Sequence, residues 1–431
     1  KAGNGTLTLS ASNTYTGTTA INAGDLTVSG SLHDDTAVSI ASNADYNVNA
    51  SDTVASIEGA GDIVLASGQT LTAGDGNNKT LSGVMSGAGN YIKAGGGTQT
   101  LSASNTYTGT TQVSAGTLTV SGSGRLSDST AVTVDGGATY NVAVSDTVAS
   151  IAGAGSITLG SNTLTSGGSN ANTTFSGVIS GSSGNIVKAG SGTLTLTGNN
   201  SYTGSTTISA GLLKILRDNP TAYLAATSGF TGPGNLTIES AGDNFTADIV
   251  TGTHVQLAGT ALGNLIIGKA GNTRQIDLSS NITTTNIQTY NGPVRLVGGD
   301  RTVATTNSNV VFASTVNSDG TQRALTVTNG NGDTTFSGAI GGSAPVKSLT
   351  ITSDQLTAGA ITLNGALTAT LANASTISGV IANGGGGTAS LVKAGNGTLT
   401  LSASNTYTGT TAINAGDLTV SGSLHDDTAV S

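Results

Sequence analysis

A stretch of 39 residues occurs twice in this chain without a single difference. Residues 1–39 read KAGNGTLTLSASNTYTGTTAINAGDLTVSGSLHDDTAVS, and residues 393–431 repeat them letter for letter, so that one period covers residues 1–392. Two looser copies of the opening motif begin at Lys93 and Lys188. Self-similarity of this kind is typical of repeat architectures, in which one small structural unit is stacked many times.

Short runs of alternating polar and apolar residues fill the spaces between glycines and asparagines. TLTLS at residues 6–10 is one such run, and LTV at residues 26–28 is another. An alternation with period two predicts a half-buried strand, and the Gly, Asn and Asp residues at its ends favour turns. No window combines the 3.6-residue spacing of a helix with helix caps. The chain is therefore predicted to be all-β.

Two kinds of all-β architecture fit such runs: a propeller or sandwich, and a β-solenoid, in which each strand stacks on its counterpart in the next coil. The copies begin at residues 1, 93, 188 and 393. A stack tolerates this unequal spacing because it lengthens by whole coils, whereas a closed propeller needs equal blades. Recurrent Thr, Asn and Ser would form ladders along the stack. We therefore predict a tandem-repeat β-solenoid rod with ~20–25 residues per coil.

The repeat boundaries divide the chain into solenoid cassettes of unequal length. They cover residues 1–92, 93–187 and 188–392, and residues 393–431 begin the next period. Within the third cassette, residues 217–301 contain Pro220, Pro233, Pro293 and His254, together with four of the six arginines. This composition predicts less regular coils with protruding loops, and it marks the segment as the first place to look for a distinct site.

Composition argues against several classes of protein. Charged residues make up 9% of the chain, against roughly a quarter in an average domain, and the net charge is −9 without a basic patch, which argues against a nucleic-acid partner. The chain has no cysteine, so it has neither disulfides nor thiolate metal sites. No apolar run reaches the ~20 residues of a membrane-spanning helix. The first residue lies inside a repeat motif, and we expect it to be a boundary within a larger protein.

No catalytic residue is predicted. Parallel β-helices can be polysaccharide lyases or hydrolases, but that chemistry needs two or three converging acids. Glutamate occurs only at Glu58 and Glu239, and the adjacent Asp34 and Asp35 would point to opposite sides of a strand. Their position after Gly30 predicts a solvated turn. Nucleophile motifs such as Gly-x-Ser-x-Gly are also missing.

No metal or cofactor ligand is predicted either. GDGN at residues 74–77 and NGNGD at residues 329–333 resemble calcium-binding turns, but neither recurs every nine residues as such sites require. His33 recurs as His425, which is typical of a repeated surface turn.

Two recurrent residue types were weighed as ligand contacts. The tyrosines of the Asn-x-Tyr-Thr-Gly motif could stack on a ligand, but their spacing of about four coils favours rings that cover corners of the coil. Thr-x-Thr pairs, as at Thr6/Thr8 and Thr98/Thr100, are similar to those of ice-binding solenoids. They are expected on only about every fourth coil, which is too sparse for a flat array. The tyrosines are Tyr15, Tyr107, Tyr202 and Tyr407.

A second constant segment completes the unit. LSGVM at residues 81–85 recurs as FSGVI at 175–179, FSGAI at 336–340 and ISGVI at 377–381, and all but the third lead through a Gly-rich turn into Lys-Ala-Gly. With KAGxGTxTL, NxYTG and AGxL, this unit resembles the passenger-associated β-strand repeat of autotransporters and related bacterial surface proteins. The copies cover Gly3–Val28, Gly95–Val120, Gly190–Ile215 and Gly395–Val420.

The resemblance implies a right-handed parallel β-helix that is secreted across the outer membrane and displayed at the cell surface or outside the cell. In that family the repeat serves secretion and folding of the passenger. The sequence as a whole thus predicts a non-enzymatic extracellular structural protein, a segment of a filament or adhesin stalk. The alternatives are an adhesin that binds glycans or a host through residues 217–301 and, third, a polysaccharide-degrading enzyme.

Continuity across the period is a further expectation. Leu399 and Leu401 should lie in the core as Leu7 and Leu9 do. Because a cut stack has unpaired strand edges, self-association end to end or laterally is predicted.

Overall fold

The computed structural model describes residues 1–219, 229–253, 255–257, 262–426 and 428–431. Every regular element in these residues is a short β-strand, and the strands pair in parallel into a β-solenoid of about 20 turns, which confirms the predicted fold class. None of the described residues forms a helix, and hence none provides an apolar helix that could span a membrane. The chain divides into two units, residues 1–212 and the described residues from 213 onward.

The first unit has three strand-bearing faces, and the first of them carries its strands in two separate groups, up to Met85–Gly87 and from Asp146–Val148 onward. Hydrogen bonds between neighbouring coils join residues 17 to 24 positions apart, close to the predicted coil length. The first face holds Leu7–Leu9, Gly24–Val28, Ala44–Val48, Asp62–Leu65, Met85–Gly87, Asp146–Val148, Thr163–Ser166, Asn185–Lys188 and Thr206–Ile208. The second face holds Thr19–Ile21, Ala37–Ile40, Ser56–Gly59, Lys79–Leu81, Thr98–Leu101, Thr117–Val120, Thr139–Val142, Ser156–Thr158 and Val178–Ser180. The third holds Asp52–Val54, Thr70–Ala73, Asn90–Lys93, Thr111–Val113, Ala131–Val134, Ser150–Gly153, Thr173–Phe175 and Thr193–Leu196.

The second unit is built in the same way, and Leu212–Leu216 lies at the boundary. One face holds Asn235–Glu239, Leu265–Ile267, Gln288–Tyr290, Val310–Phe312, Thr334–Phe336, Leu356–Ala358, Ser375–Ile377, Thr398–Leu401 and Asp417–Val420. The next holds Ile249–Val250, Ile276–Leu278, Val294–Leu296, Val316–Ser318, Ile361–Leu363 and Ile381–Asn383. The last holds Ile282–Thr284, Arg301–Thr305, Leu325–Thr328, Leu349–Ser353, Ala366–Leu371, Ser390–Ala394 and Thr411–Ile413, and Phe230–Thr231 is a further strand.

Alternation along each strand produces a thin core of stacked side chains. On the first face of the first unit, Leu26 pairs in register with Tyr46, Tyr46 with Ile63, and Ile63 with Met85, and all four are buried. Each buried side chain of this size contributes about 1.5–3 kcal/mol by leaving water. The alternation of apolar and polar residues along a strand therefore predicts which side chains are buried in the core, because the outward positions can be polar.

Aromatic rings form one such column in the second unit. The ring centroids of Tyr290 and Phe312 lie 5.0 Å apart, and those of Phe312 and Phe336 lie 4.8 Å apart, both pairs stacked. This spacing is the distance between adjacent strands, so the parallel register itself sets the stacking geometry.

The glycine of each Ser-Gly segment lies at a corner against the backbone of the neighbouring coil. A Cβ on Gly177 would lie 1.5 Å from the carbonyl oxygen of Gly155, and one on Gly83 would lie 1.8 Å from that of Gly61. Since no side chain fits, these corners require glycine and let the coils approach to strand spacing.

Equivalent leucines in the two identical 39-residue segments differ in solvent exposure. Leu399 and Leu401 are fully buried, as expected, but Leu7 is 43% exposed. The strand Thr398–Leu401 pairs with strands on both sides, whereas Leu7–Leu9 pairs on one side only. The expectation is thus correct for the later copy and wrong for the earlier one, because burial here depends on the neighbouring coil as well as on the sequence.

Candidate functional site

In three of the four Lys-Ala-Gly motifs the lysine points inward and caps a turn. Lys93, Lys188 and Lys393 are at most 1% exposed. The Nζ atom of Lys393 donates to the carbonyl oxygens of Ala394 at 2.8 Å, Gly395 at 2.8 Å and, in the next coil, Ala415 at 3.1 Å.

The equivalent three bonds recur at Lys93 and Lys188. They use all three donors of the ammonium group, so the buried head is satisfied although burial lowers the pKa of each lysine. The lysine therefore ties its own turn to the next coil.

The asparagine of Asn-x-Tyr joins three successive coils. Asn105 is 5% exposed, and its Oδ1 accepts from the backbone N–H of Met85 in the preceding coil at 2.9 Å. Its Nδ2 donates to Ala103 O at 3.0 Å and to Arg125 O in the following coil at 2.7 Å. Asn405 makes the same three bonds. This side chain acts as a clamp between coils.

Three of the four tyrosines of this motif are interior side chains. Tyr107 and Tyr407 are fully buried and Tyr202 is 8% exposed, whereas Tyr15 is 42% exposed. Each hydroxyl is hydrogen-bonded to the threonine four residues later, as Tyr202 is to Thr206 at 2.7 Å. A buried ring cannot stack on a ligand from solution. The three buried tyrosines therefore extend the core at their corners, as the sequence favoured.

Successive copies face different sides of the first unit. The strand of the Gly-Thr-x-Thr-Leu segment lies on the first face in copy one, on the second face in copy two (Thr98–Leu101) and on the third face in copy three (Thr193–Leu196). The recurring side chains are therefore distributed around the unit and form no continuous binding surface.

Two buried aspartates were missed from the sequence. Asp52 and Asp146 are 4% and 2% exposed, and each accepts the hydroxyl proton of a tyrosine six residues earlier, Tyr46 or Tyr140. Burial raises the pKa of Asp146 to about 6. The signal was present, since YNVxxSDTVASI occurs at residues 46–57 and again at 140–151. Each carboxyl group faces a phenol and backbone amides in place of a second acid, which is not a glycosidase arrangement.

The acidic residues that the sequence analysis considered as catalytic candidates lie in an exposed turn or in ion pairs. Asp34 and Asp35 lie in an exposed turn beside His33, whose Nδ1 is 3.7 Å from Asp35. Glu58 pairs with Lys79 at 3.0 Å, and Glu239 pairs with Lys214 at 2.7 Å.

The calcium-like and histidine motifs also lie in turns. The carboxylate of Asp75 accepts the backbone and side-chain N–H groups of Asn77, which closes the 74–77 turn. In the 329–333 turn, Gly332 N donates to Asn329 O at 2.8 Å. His425 lies in the same turn as His33 does in its copy, and His254 and Pro220 lie outside the described residues. No cluster of three or more metal-ligating side chains occurs among the residues that the structure describes.

Threonines lie in register more often than the sequence predicted. The expectation that Thr-x-Thr recurs on about every fourth coil is wrong in the second unit, where three successive coils carry it. The coils differ in length, so their alignment cannot be recognised by a constant spacing. The register pairs are Thr326 with Thr350, Thr350 with Thr368, Thr328 with Thr352, and Thr352 with Thr370.

Coils in the described part of residues 217–301 are longer than in the first unit. Hydrogen bonds between neighbouring coils here span up to 29 positions, as from Asn264 N to the side chain of Asn235. Strands nevertheless occur here, at Leu265–Ile267 and Val294–Leu296. Arg295 forms a bidentate pair with Asp277, with N–O distances of 2.9 and 2.6 Å.

A charged corner follows this segment. Arg323 Nε and Nη2 donate to the two carboxylate oxygens of Asp319 at 3.2 and 3.3 Å. The Arg323 guanidinium lowers the pKa of Asp319 to about 2. In the neighbouring loops, Asp300 accepts from Ala324 N at 2.9 Å and lies 3.6 Å from Lys347 Nζ. These contacts fix loops of successive coils to one another.

Comparison with known proteins identifies the repeat. The passenger-associated-transport-repeat family model matches residues 1–28, 92–120, 186–215 and 391–420, which are the four copies described above. Adhesin BmaC autotransporter of Brucella suis biovar 1 (strain 1330) is 32% identical over 454 residues. The match covers 97% of this chain but only 12% of that relative. No solved structure matches the chain. The resemblance to the autotransporter passenger repeat is thereby confirmed.

Proposed function

Because this chain is built on four passenger-associated transport repeats of the autotransporter type, we propose that it is a non-enzymatic structural segment of a surface passenger. It forms a length of solenoid stalk or filament at the bacterial surface or outside the cell. One observation carries the proposal: in the later copies the recurring Lys and Asn side chains point inward and bond to neighbouring coils, and the buried Tyr hydroxyls bond to a threonine four residues later. The name of the relative, an adhesin, supports a place at the surface.

Surface display can be tested on intact cells of the source bacterium. Antibodies raised against residues 1–431 should label unpermeabilised cells, and external protease should remove the signal. An antibody against a cytoplasmic protein is the control for cell integrity. Labelling that appears only after permeabilisation would contradict the proposal.

The absence of catalysis is a separate part of the proposal. The chain should not turn over panels of polysaccharides, esters or peptides. Burial raises the pKa of Asp146 to about 6, so Asp146→Asn is the variant to compare if activity is seen. Saturable hydrolysis that this variant or another single Asp variant abolishes would overturn the structural role.

Adhesion through residues 217–301 is the second candidate function. The relative is named an adhesin, and the coils of this segment are longer than those of the first unit; both observations favour this function. Beads coated with the chain should then adhere to host cells or immobilised glycans, and antibodies restricted to 217–301 should block adhesion. Equal blocking by antibodies against residues 93–187 would contradict the claim that residues 217–301 mediate adhesion.

We also propose that consecutive periods stack in register. In the later copy the strand Thr398–Leu401 is covered by Ser375–Ile377. In a chain with several periods, the equivalent coil would cover the exposed Leu7 face in the same way. Analytical ultracentrifugation of one period should detect association that rises with concentration, and a monodisperse monomer at high concentration would contradict it.

A further inference from the structure

A groove of about 300 Å³ opens beside the charged corner of the second unit. Ser318, Gln322, Pro345, Asn364 and Gly386 line it. It lies outside residues 217–301 and outside the four repeat copies. Nothing in the coil-to-coil clamps described above uses these side chains.

The groove exists because successive coils pass this corner with loops of different length. Residues 319–324 and 341–348 are long loops, and so are residues 384–389. Between them, only Asn364 and Gly365 separate the strands Ile361–Leu363 and Ala366–Leu371. The short turn is therefore the floor, and the long loops are the walls.

Floor and walls are joined by hydrogen bonds and close packing. Asn364 N donates to Val346 O at 3.0 Å, and Gly386 N donates to Asn364 Oδ1 at 3.4 Å. A Cβ on Gly384 would lie 2.2 Å from Asn364 Oδ1, so this wall rests directly on the floor.

The opposite wall is held by the Asp319–Arg323 pair, and Asp319 also accepts from Gly298 N. The side chain of Gln322 extends from this wall toward the other one. Its Nε2 atom lies 3.4 Å from the position that a Cβ on Gly386 would occupy. The groove is thus formed before any ligand arrives, which lowers the entropy lost on binding.

The lining determines the class of ligand. It carries two amides, a hydroxyl, backbone groups of glycine and the apolar faces of Ala344 and Pro345, and no charged side chain lines it. An amide group donates and accepts at adjacent positions, which matches neighbouring hydroxyls of a sugar. A peptide added as a strand would need an open sheet edge, and this corner presents loops instead.

We propose that the groove binds a neutral oligosaccharide, with Gln322 and Asn364 hydrogen-bonded to sugar hydroxyls and Pro345 against the sugar ring. Its volume suits one or two sugar units, since small-ligand pockets begin at about 300 Å³. The inference deepens the proposed surface role and rests on it only for the natural source of the glycan. Binding itself can be measured with the chain alone.

The experiment uses the whole chain on an array of neutral and acidic oligosaccharides, followed by titration calorimetry with the best neutral ligand. Gly385→Tyr should fill the groove, because nothing lies within 4 Å of its Cβ position and its φ is not positive. Gln322→Ala removes one amide from an exposed position. Gly359→Tyr is the matched control, as Gly359 has the same open surroundings elsewhere in the unit.

The proposal expects binding of neutral glycans that weakens at least tenfold in Gly385→Tyr and Gln322→Ala and is unchanged in Gly359→Tyr. Far-UV circular dichroism should show the same β-structure in all variants. Binding that is absent, confined to acidic glycans, or unaffected by both groove variants would overturn it. Glycan binding by a protein that intact-cell labelling places inside the cell would contradict the surface role and leave the groove assignment standing.

Discussion

The Asn105 clamp allows the coil-to-coil account to be tested at a single side chain. Asn105→Ala removes hydrogen bonds to Met85 N, Ala103 O and Arg125 O, which lie in three successive coils. Each such bond contributes about 0.5–1.5 kcal/mol, and leaving the buried N–H of Met85 unpaired adds about 1–3 kcal/mol. We expect a loss of about 4 kcal/mol in the local free energy of unfolding.

Asn13→Ala is the matched control. Asn13 occupies the same motif position, but its side chain makes two bonds, to Ala11 O and Ser31 O, each at 2.9 Å. It is only half-buried, so water can replace both bonds. We expect a loss of about 1 kcal/mol there.

Hydrogen exchange is the suitable assay, because a long repeat stack need not unfold in one step. The amide of Met85 should exchange about 10²–10³-fold faster in Asn105→Ala, since each 1.4 kcal/mol is a factor of ten. Urea unfolding followed by far-UV circular dichroism should show a lower midpoint. Unchanged exchange at Met85, or equal effects of the two variants, would refute the clamp.

Three further predictions address the corner glycines, a buried acid and the buried lysines. Gly177→Ala should destabilise the first unit by more than about 3 kcal/mol in urea because its Cβ would overlap Gly155, whereas Gly168→Ala, with open space around it, should change stability by less than about 0.5 kcal/mol; equal midpoints would contradict this. The raised pKa of Asp146 means that the native state binds a proton that the unfolded state releases between about pH 4 and 6. Stability should therefore fall by about 2.5 kcal/mol from pH 4 to pH 7, and Asp146→Asn should remove that slope; a slope that persists in the variant would exclude Asp146 as its source. Lys93→Met leaves three carbonyls unpaired and should lower thermal stability by about 2–4 kcal/mol, whereas Lys79→Met, which breaks one partly exposed ion pair, should cost less than about 1 kcal/mol; similar losses would argue against the cap.

Sequence reasoning reached the fold because the solenoid repeats a local rule. Period-two runs between Gly and Asn turns specify strands, and unequal copy spacing separates a stack from a closed propeller. The burial of Lys93 was not predicted from the sequence, because lysine is normally a surface residue. Its carbonyl partners can be identified only when the alignment of the stacked coils is known. The third partner of Asn105 likewise lies 20 positions away at Arg125.

The surface features depend on how coils of different length align. Thr326, Thr350 and Thr368 share a register although 24 and then 18 residues separate them. A search of the sequence for a constant spacing therefore cannot find this threonine array. The groove over Asn364 exists only because its two-residue turn lies between longer loops. The alternation within a strand can be recognised from a few neighbouring residues. The threonine array and the groove depend instead on the lengths of several successive coils, which determine which loops and side chains lie next to one another.

Disulfide mapping of register tests the stacked-coil account most directly, and the chain has no native cysteine to interfere. Thr117 and Thr139 are register partners on adjacent coils, so their Cα atoms should lie at the strand spacing of about 4.8 Å, within the range that a disulfide spans. Thr117 and Asn141 are two positions out of register, which places their Cα atoms about 8 Å apart, beyond that range. The account predicts rapid oxidation of the Thr117→Cys/Thr139→Cys variant and none of Thr117→Cys/Asn141→Cys, scored by mass spectrometry. Equal cross-linking of both pairs, or cross-linking of the second pair alone, would contradict it.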